Sequence, residues 1–232
     1  YHWHIFYFQF FTFLNEMKKR KNAILLTPRL DRNMRESISA AGFNLSNVIE
    51  YEGSRAVKAA SIVTSSYSFN IPRLSRESLS IFDKVSNNIS KNSVSGNSDQ
   101  LIYISRNDAT QRCILNEKKL IEEISKVGFK SYELSSMSYA EQVSLFSQAK
   151  VVVAPHGAGL TNLLFSRGCK AVLELFSTEW VHSCYRDLCY VKNISYSCMF
   201  FEPEDKSSGR ESHHSVDVNS ILELVIKMVD RK

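Results

Sequence analysis

Two short segments carry residue types suited to holding a phosphate. In Val151 to Asn162, VVVAPHGAGLTN, a valine run ends in Pro155 and gives way to His156-Gly157-Ala158-Gly159, then to Leu160, Thr161 and Asn162. A buried strand followed by two glycines and a helix start offers free amides at the positive end of the helix dipole, where an anion is favoured. One β-α-β step later Glu174 stands in Leu173-Glu174-Leu175, and an acid at such a strand end commonly takes ribose hydroxyls. In the other segment, Leu101 to Asn116 (LIYISRNDATQRCILN), a strand ends in Ser105-Arg106, with Arg112 before Asn116-Glu117. Guanidinium groups suit diphosphate oxygens.

Each segment also has a plainer reading: a structural tight turn with a satisfied core histidine, and solvated arginines with Asn116 as an N-cap. Two anion-friendly turns in one domain favour a nucleotide diphosphate. Asn162 stands where a dinucleotide fingerprint would place its third glycine, which argues against NAD or FAD. Ser138 and Glu141 have capping-box spacing, so Glu141 reads as a helix-start residue rather than an acid catalyst. His2-x-His4, His182 and His213-His214 lack a ligand pattern, and no Asp-x-Asp triplet occurs, so neither a metal site nor a cofactor is expected. Gly-x-Ser-x-Gly elbows and Walker loops are absent from the sequence.

These turns need a scaffold that brings strand ends together. In the second half, strands are expected near 101–105, 130–134, 150–154, 171–175 and 196–200. Helices are expected between them near 117–127, 139–148, 158–166 and 182–191. Continuous apolar strands such as Val151-Val152-Val153 suit a parallel sheet covered on both faces. The first half reads as a shorter alternation: a strand near 23–27 stopped by Pro28, a helix ending near Ala41 with Gly42 as its stop, apolar runs near 47–51 and 61–64, and a helix near 73–85. Ser86 to Gln100 is polar and rich in Ser and Asn. The expected class is α/β with two Rossmann-like, doubly wound domains facing a cleft: residues 1–90, a linker over 91–100, a second domain over 101–215, and a C-terminal helix over 216–232 able to pack on either half.

The 232 residues, 44% apolar and 23% charged, are ordinary globular composition and exclude collagen-like, disordered and disulfide-scaffold classes. The net charge of +5 (29 basic, 24 acidic) is spread along the chain beyond Lys18-Lys19-Arg20-Lys21, so no nucleic acid partner is expected. Five cysteines without a C-x-x-C pair read as reduced core thiols and lean toward the cytosol. Sequons at Asn44, Asn88 and Asn193 would matter only in a secreted or lumenal protein. The apolar run His4 to Leu14 falls short of the roughly 20 residues that span a bilayer. It reads as a buried helix, an interfacial helix with the basic cluster at the headgroups, or part of a truncated span. The chain opens Tyr1-His2-Trp3-His4 without Met, as a piece of a longer protein would.

SRNDATQRCILNE (Ser105 to Glu117), Ala140-Glu141-Gln142, and above all APHGAGLTNLLF (Ala154 to Phe165) with VLEL (Val172 to Leu175) resemble the catalytic domain of glycosyltransferase family 61. That family includes bacterial capsular-polysaccharide enzymes, plant xylosyl- and arabinosyltransferases, and animal protein O-linked GlcNAc transferases. Tyr1-His2-Trp3 resembles its His-Trp opening segment, and Ala23 to Leu30 its first strand and turn. The resemblance implies a two-domain GT-B fold and an inverting, metal-independent transfer from a nucleotide sugar, with a UDP-sugar the expected donor. At matching positions, Ser105, Arg106, Arg112, His156, Gly157, Ala158, Gly159, Thr161, Asn162 and Glu174 would line the donor site. The acceptor would be a glycan, a lipid-linked glycan or a glycoprotein. The expected location is the cytoplasm or, by peripheral association, the cytoplasmic membrane face; the alternative is the Golgi or ER lumen behind a missing N-terminal anchor.

The mechanism implied is one in-line displacement at the anomeric carbon. Arg106, Arg112 and the amides around Gly157 to Gly159 would stabilise the diphosphate leaving group, and His2 and Asp31 are candidate bases for the acceptor hydroxyl. Where family members often continue His-Trp into an acidic residue and Leu-Pro, this chain has Phe6 and Phe8-Gln9. That departure keeps open a degenerate domain that binds a nucleotide or glycan without turnover. A nucleotide-sugar epimerase or dehydrogenase would need a dinucleotide fingerprint near the chain start, and none is present.

Overall fold

Parallel strand pairing organises both parts of the chain. The computed structural model describes residues 24–53, 58, 76–90 and 100–230, and their contacts fall into two compact units, residues 1–94 and 95–232. His2, the apolar run 4–14, the strand expected near 61–64 and linker residues 91–99 lie outside the described residues.

In the first unit, β1 (Leu25–Thr27) and β2 (Val48–Glu50) pair in parallel, with Leu25 opposite Val48. Between them runs α1 (Arg32–Ala40), capped by Asp31, whose Oδ1 accepts the Met34 N–H at 2.8 Å. The helix stops where Gly42 takes φ +81°, which lets the Phe43 N–H reach the Ile38 carbonyl at 3.2 Å. α2 (Arg76–Ser90) buries Ile81, Phe82 and Val85, and Asn88 Nδ2 donates to the Ala40 carbonyl at 2.9 Å. The polar run from Ser86 therefore begins as helix, and Ser86 itself is fully buried.

The second unit holds β3 (Gln100–Ile104), α3 (Glu117–Ser125), β4 (Lys130–Tyr132), α4 (Tyr139–Gln148), β5 (Ala149–Pro155) and β6 (Ala171–Ser177). It is completed by α5 (Cys184–Val191), β7 (Ser195–Phe201) and α6 (Val218–Asp230). Gln100, expected in the linker, is the first residue of β3. The five strands form one sheet in the order β4-β3-β5-β6-β7, every pair parallel. Successive strand side chains point to opposite faces. Tyr103, Val151, Val153, Leu173 and Leu175 meet Leu120 and Ile124 of α3 and Ile221, Val225 and Met228 of α6. Each such side chain contributes about 1.5–3 kcal/mol by leaving water. The C-terminal helix thus belongs to the core of the second unit. On the other face, α4 and α5 pack around a helical segment, Ala158–Phe165. That segment, expected as a helix, is a 3-10 helix.

Sequential strands run from β3 outward to β4, then return to the other side of β3 as β5. In doubly wound sheets the ligand crevice lies at such a switch point, outside the carboxyl ends of the strands. The two residues that leave β3 and β5 there are Ser105 and His156. Among the described residues no helix is long and apolar enough to cross a membrane.

Candidate functional site

At the switch point the two anion-friendly turns meet. A Cβ on Gly157 would collide with the Arg106 guanidinium, so the cation from the β3 turn lies directly on the glycine of the β5 turn. Arg106 Nη2 donates to the Gln111 carbonyl at 3.3 Å, while its Nε is buried without a hydrogen-bond partner among the described residues. A buried donor left unpaired is costly, and an anionic oxygen would satisfy it. Ala158 and Gly159 open the 3-10 helix, and the first N–H there to find an acceptor is that of Leu160, on the Gly157 carbonyl at 3.1 Å. Among the described residues the amides of Ala158 and Gly159 have no acceptor, as the first donors of a helix do. Cation, amides and an exposed Ala158 compose one anion cradle.

Behind the cradle lies a buried polar chain. His156 Nδ1 donates to Glu174 Oε1 at 2.6 Å, and the Tyr196 hydroxyl donates to Glu174 Oε2 at 2.7 Å. The imidazole stacks on Phe176, with centroids 4.9 Å apart, and tilts against Tyr185 at 5.5 Å. A carboxylate only accepts, so the proton on Nδ1 fixes the tautomer and leaves Nε2 for other partners. Burial first, and then the bond to Glu174, push the Tyr196 hydroxyl well above the usual phenol range, so it remains a donor. Glu174 is fully buried in mid-strand with both oxygens engaged. Rather than projecting from a strand end, it holds His156 and Tyr196.

The β3 turn is fastened by a second buried carboxylate. Glu117 Oε1 accepts from the Tyr103 hydroxyl at 2.7 Å and from the Arg106 N–H at 3.3 Å, and Oε2 accepts from Ser105 Oγ at 3.0 Å. Burial, followed by the charge of Glu117, drives the Tyr103 phenol upward. Ser105 Oγ also accepts the Asn107 N–H at 3.1 Å, so Ser105 shapes the turn. Arg112 takes φ +58°, a left-handed conformation that disfavours non-glycine residues, and donates its N–H to the Glu211 carbonyl at 3.2 Å. Asn116 stands at the N-cap of α3, as expected, but makes no side-chain capping bond: its side chain bonds both the Val216 N–H at 2.9 Å and the Val216 carbonyl at 2.8 Å. Beside this loop lies a cavity of about 430 Å³ whose lining includes Gln111, Glu204, Asp205, Glu211 and His213.

The remaining expected residues divide by what they touch. Gly159 faces inward, since a Cβ there would press on Leu134 Cδ1 at 2.9 Å. Thr161 is buried with Oγ1 3.4 Å from the Tyr185 hydroxyl, and Asn162 Nδ2 donates to Gln142 Oε1 at 3.0 Å. Both hold the 3-10 helix to its neighbours. Ser138 and Glu141 form the expected capping box of α4, and these bonds lower the Glu141 carboxyl. In the first unit Asp31, a candidate base, is engaged as the cap of α1. Tyr196 and the carboxylate role of Glu117 were not legible beforehand: no local spacing ties either to the turns. The described residues contain no cluster of three or more His, Cys, Asp or Glu able to hold a metal ion, and of their cysteines Cys169 and Cys189 are buried thiols.

Comparison with known proteins identifies the family of the chain. The family model for glycosyltransferase 61 matches residues 1–173. Among curated proteins, the EGF domain-specific O-linked N-acetylglucosamine transferase of Xenopus laevis is 32% identical over 108 residues, covering 44% of this chain and 20% of that protein. The dog (Canis lupus familiaris) protein of the same name is 27% identical over 135 residues, covering 51% of this chain and 25% of that protein. The Drosophila melanogaster protein of that name is 25% identical over 140 residues, covering 54% and 26%. The chain thus aligns with about a quarter of the length of these relatives. With a matched region that includes both turns of the anion cradle, the chain belongs to the glycosyltransferase 61 family.

Proposed function

We propose that the protein transfers a sugar, with inversion, from a UDP-sugar to a hydroxyl of a glycoprotein, and that the second unit holds the donor. The observation that carries this is the Arg106 guanidinium lying on Gly157 beside the open amides of Ala158 and Gly159, at the switch point of a parallel sheet. There the diphosphate meets a fixed cation and helix-start amides, which stabilise the negative charge that grows as the anomeric C–O bond breaks. His156, held by Glu174, presents Nε2 to the same diphosphate, and Arg112 adds a second cation from the loop. No metal is assigned a step. Because Glu174 is engaged, the nucleoside is assigned to the 430 Å³ cavity, where Glu211 and the Oε2 of Glu204 supply acceptors for ribose hydroxyls.

The first unit would complete a GT-B pair and bring the acceptor and its base; His2 remains the candidate, since Asp31 is engaged as a cap. The relatives are named for EGF domains, which are disulfide-rich secreted modules. That favours a glycoprotein acceptor met in the secretory lumen over a cytoplasmic polysaccharide. A second reading, donor binding without turnover, is favoured by Phe6 and Phe8-Gln9 in place of the family's acidic residue. Incubation with UDP-, GDP- and CMP-sugars and a folded EGF domain, reading released nucleotide and acceptor mass, tests both. UDP release with an acceptor mass gain is expected. Tight UDP binding with no release across acceptors would establish the second reading, and no nucleotide binding would overturn both.

A further inference from the structure

The three sequons are not equivalent in the structure. Asn88 sits inside α2, with Nδ2 donating to the Ala40 carbonyl at 2.9 Å. Asn44 is exposed, but its Oδ1 is bound by the Ser46 N–H of its own triplet at 3.0 Å. Asn193 is exposed at the end of α5, and no hydrogen bond holds its side chain among the described residues. Its backbone takes φ +56°, with its N–H on the Tyr190 carbonyl at 3.1 Å and the next N–H, of Ile194, on the Cys189 carbonyl at 2.8 Å. This left-handed helix stop sets the exposed Asn193 in a tight turn.

A second observation lies one turn back. Tyr190 is 86% exposed and Val191 39% exposed, an apolar surface beside Asn193 that no protein group covers among the described residues. A tyrosine ring offers a broad apolar face, and the C–H face of a sugar is a matching surface. We infer that Asn193 carries an N-linked glycan whose first sugar lies over Tyr190. The inference rests on the lumenal reading above. The oligosaccharide comes from a polyprenyl-diphosphate-linked donor. The Nδ2–C1 bond forms as the C1–O bond to the diphosphate breaks, the electron pair leaves with the lipid diphosphate, and the Nδ2 proton passes to a base of the glycosylating enzyme.

The position is compatible with the proposed activity. α5 begins beside the donor site, where Tyr185 packs on His156, and ends at the opposite edge of the sheet, where Ser195 starts β7. A glycan there stands at the amino ends of the strands, away from the switch-point crevice.

The test is treatment of the full-length protein from its own cells, in heavy-oxygen water, with a glycoasparagine amidase that hydrolyses the Asn side-chain amide, followed by peptide mapping. Heavy-oxygen Asp at position 193, and none at 88, is expected. In secreted recombinant protein, Asn193→Gln should remove one glycan without altering nucleotide release. Enzymatic deglycosylation should lower the unfolding temperature of the wild type but not of Tyr190→Ala. An unlabelled Asn193 peptide overturns the inference whatever the transfer assay gives. A labelled Asn193 in a protein without transfer overturns the proposed activity alone. Equal temperature shifts in wild type and Tyr190→Ala overturn the stacking of sugar on Tyr190.

Discussion

The Arg106 guanidinium fills the space beside the Gly157 Cα that any other residue would need for its Cβ. Gly157 has φ 172° and ψ 170°, an extended conformation open to any residue, so its glycine is required by the arginine and not by the backbone. Gly157→Ala should displace the guanidinium and weaken UDP binding about tenfold or more, some 1.4 kcal/mol. Arg106→Ala should do the same. Titration calorimetry on the double variant should find little further loss, because both substitutions remove one contact; fully additive losses would show that the two residues act separately.

Glu174 should matter to the fold and to His156 by separable routes. Glu174→Ala strands the His156 Nδ1–H and the Tyr196 hydroxyl in the interior and should cost about 2–4 kcal/mol in urea unfolding. Glu174→Gln keeps the shape but removes the charge, so stability should fall less while the histidine ring nitrogens, read by NMR, lose their single Nδ1–H tautomer. Tyr196→Phe should cost about 1 kcal/mol and leave that tautomer in place.

Glu117 fastens the turn that carries Arg106. Glu117→Ala releases Tyr103, Ser105 and the Arg106 N–H together, so a loss of about 2–4 kcal/mol is expected, accompanied by weaker nucleotide binding. Tyr103→Phe removes one of those bonds and should cost about 1 kcal/mol with binding retained. A Glu117→Ala protein with unchanged UDP affinity would show that the turn holds its shape without the carboxylate.

His214 supplies a pH dependence remote from the cradle. It is 1% exposed, stacks on Phe201, and neither ring nitrogen has a partner among the described residues. Burial, aided by neighbouring His213, lowers its pKa from 6.5 to about 4. Between those values the unfolded chain binds the proton more tightly. The stability contribution is therefore complete above pH 6.5 and is lost as pH falls through about 4, up to about 3 kcal/mol. His214→Phe should flatten the urea midpoint across this window; an unchanged slope would place the acid sensitivity elsewhere.

Local signals made much of this legible. The strand-turn-glycine pattern at Val151–Asn162 located the switch-point turn, Ser138 and Glu141 located the start of α4, and Gly42 the end of α1. What failed was partnership at a distance. The apolar run around Leu173-Glu174-Leu175 suggests a strand ending at residue 175, whereas β6 runs on to Ser177 and buries the acid. Its partner Tyr196 lies 22 residues away on the neighbouring strand. Asn116 had the spacing of a cap, but its bonds go to Val216, 100 residues on. The 3-10 geometry of Ala158–Phe165 was equally hidden, since an apolar run such as GLTNLLF states burial and not the number of residues per turn.

The stitches between residues 113–116 and 213–216 carry a consequence for where this protein can be cut. Cys113 N–H bonds His213 Nδ1, the His214 N–H bonds the Cys113 carbonyl, Leu115 N–H bonds the His214 carbonyl, and Asn116 closes the seam on Val216. The loop bearing Arg106 and Arg112 is thus clasped by a segment beyond residue 173, where the family match ends. Recognisable ancestry and self-sufficient folding therefore have different borders in this chain. A fragment ending at residue 173 would retain both turns of the cradle yet lack the clasp, β7 with Tyr196, and α6.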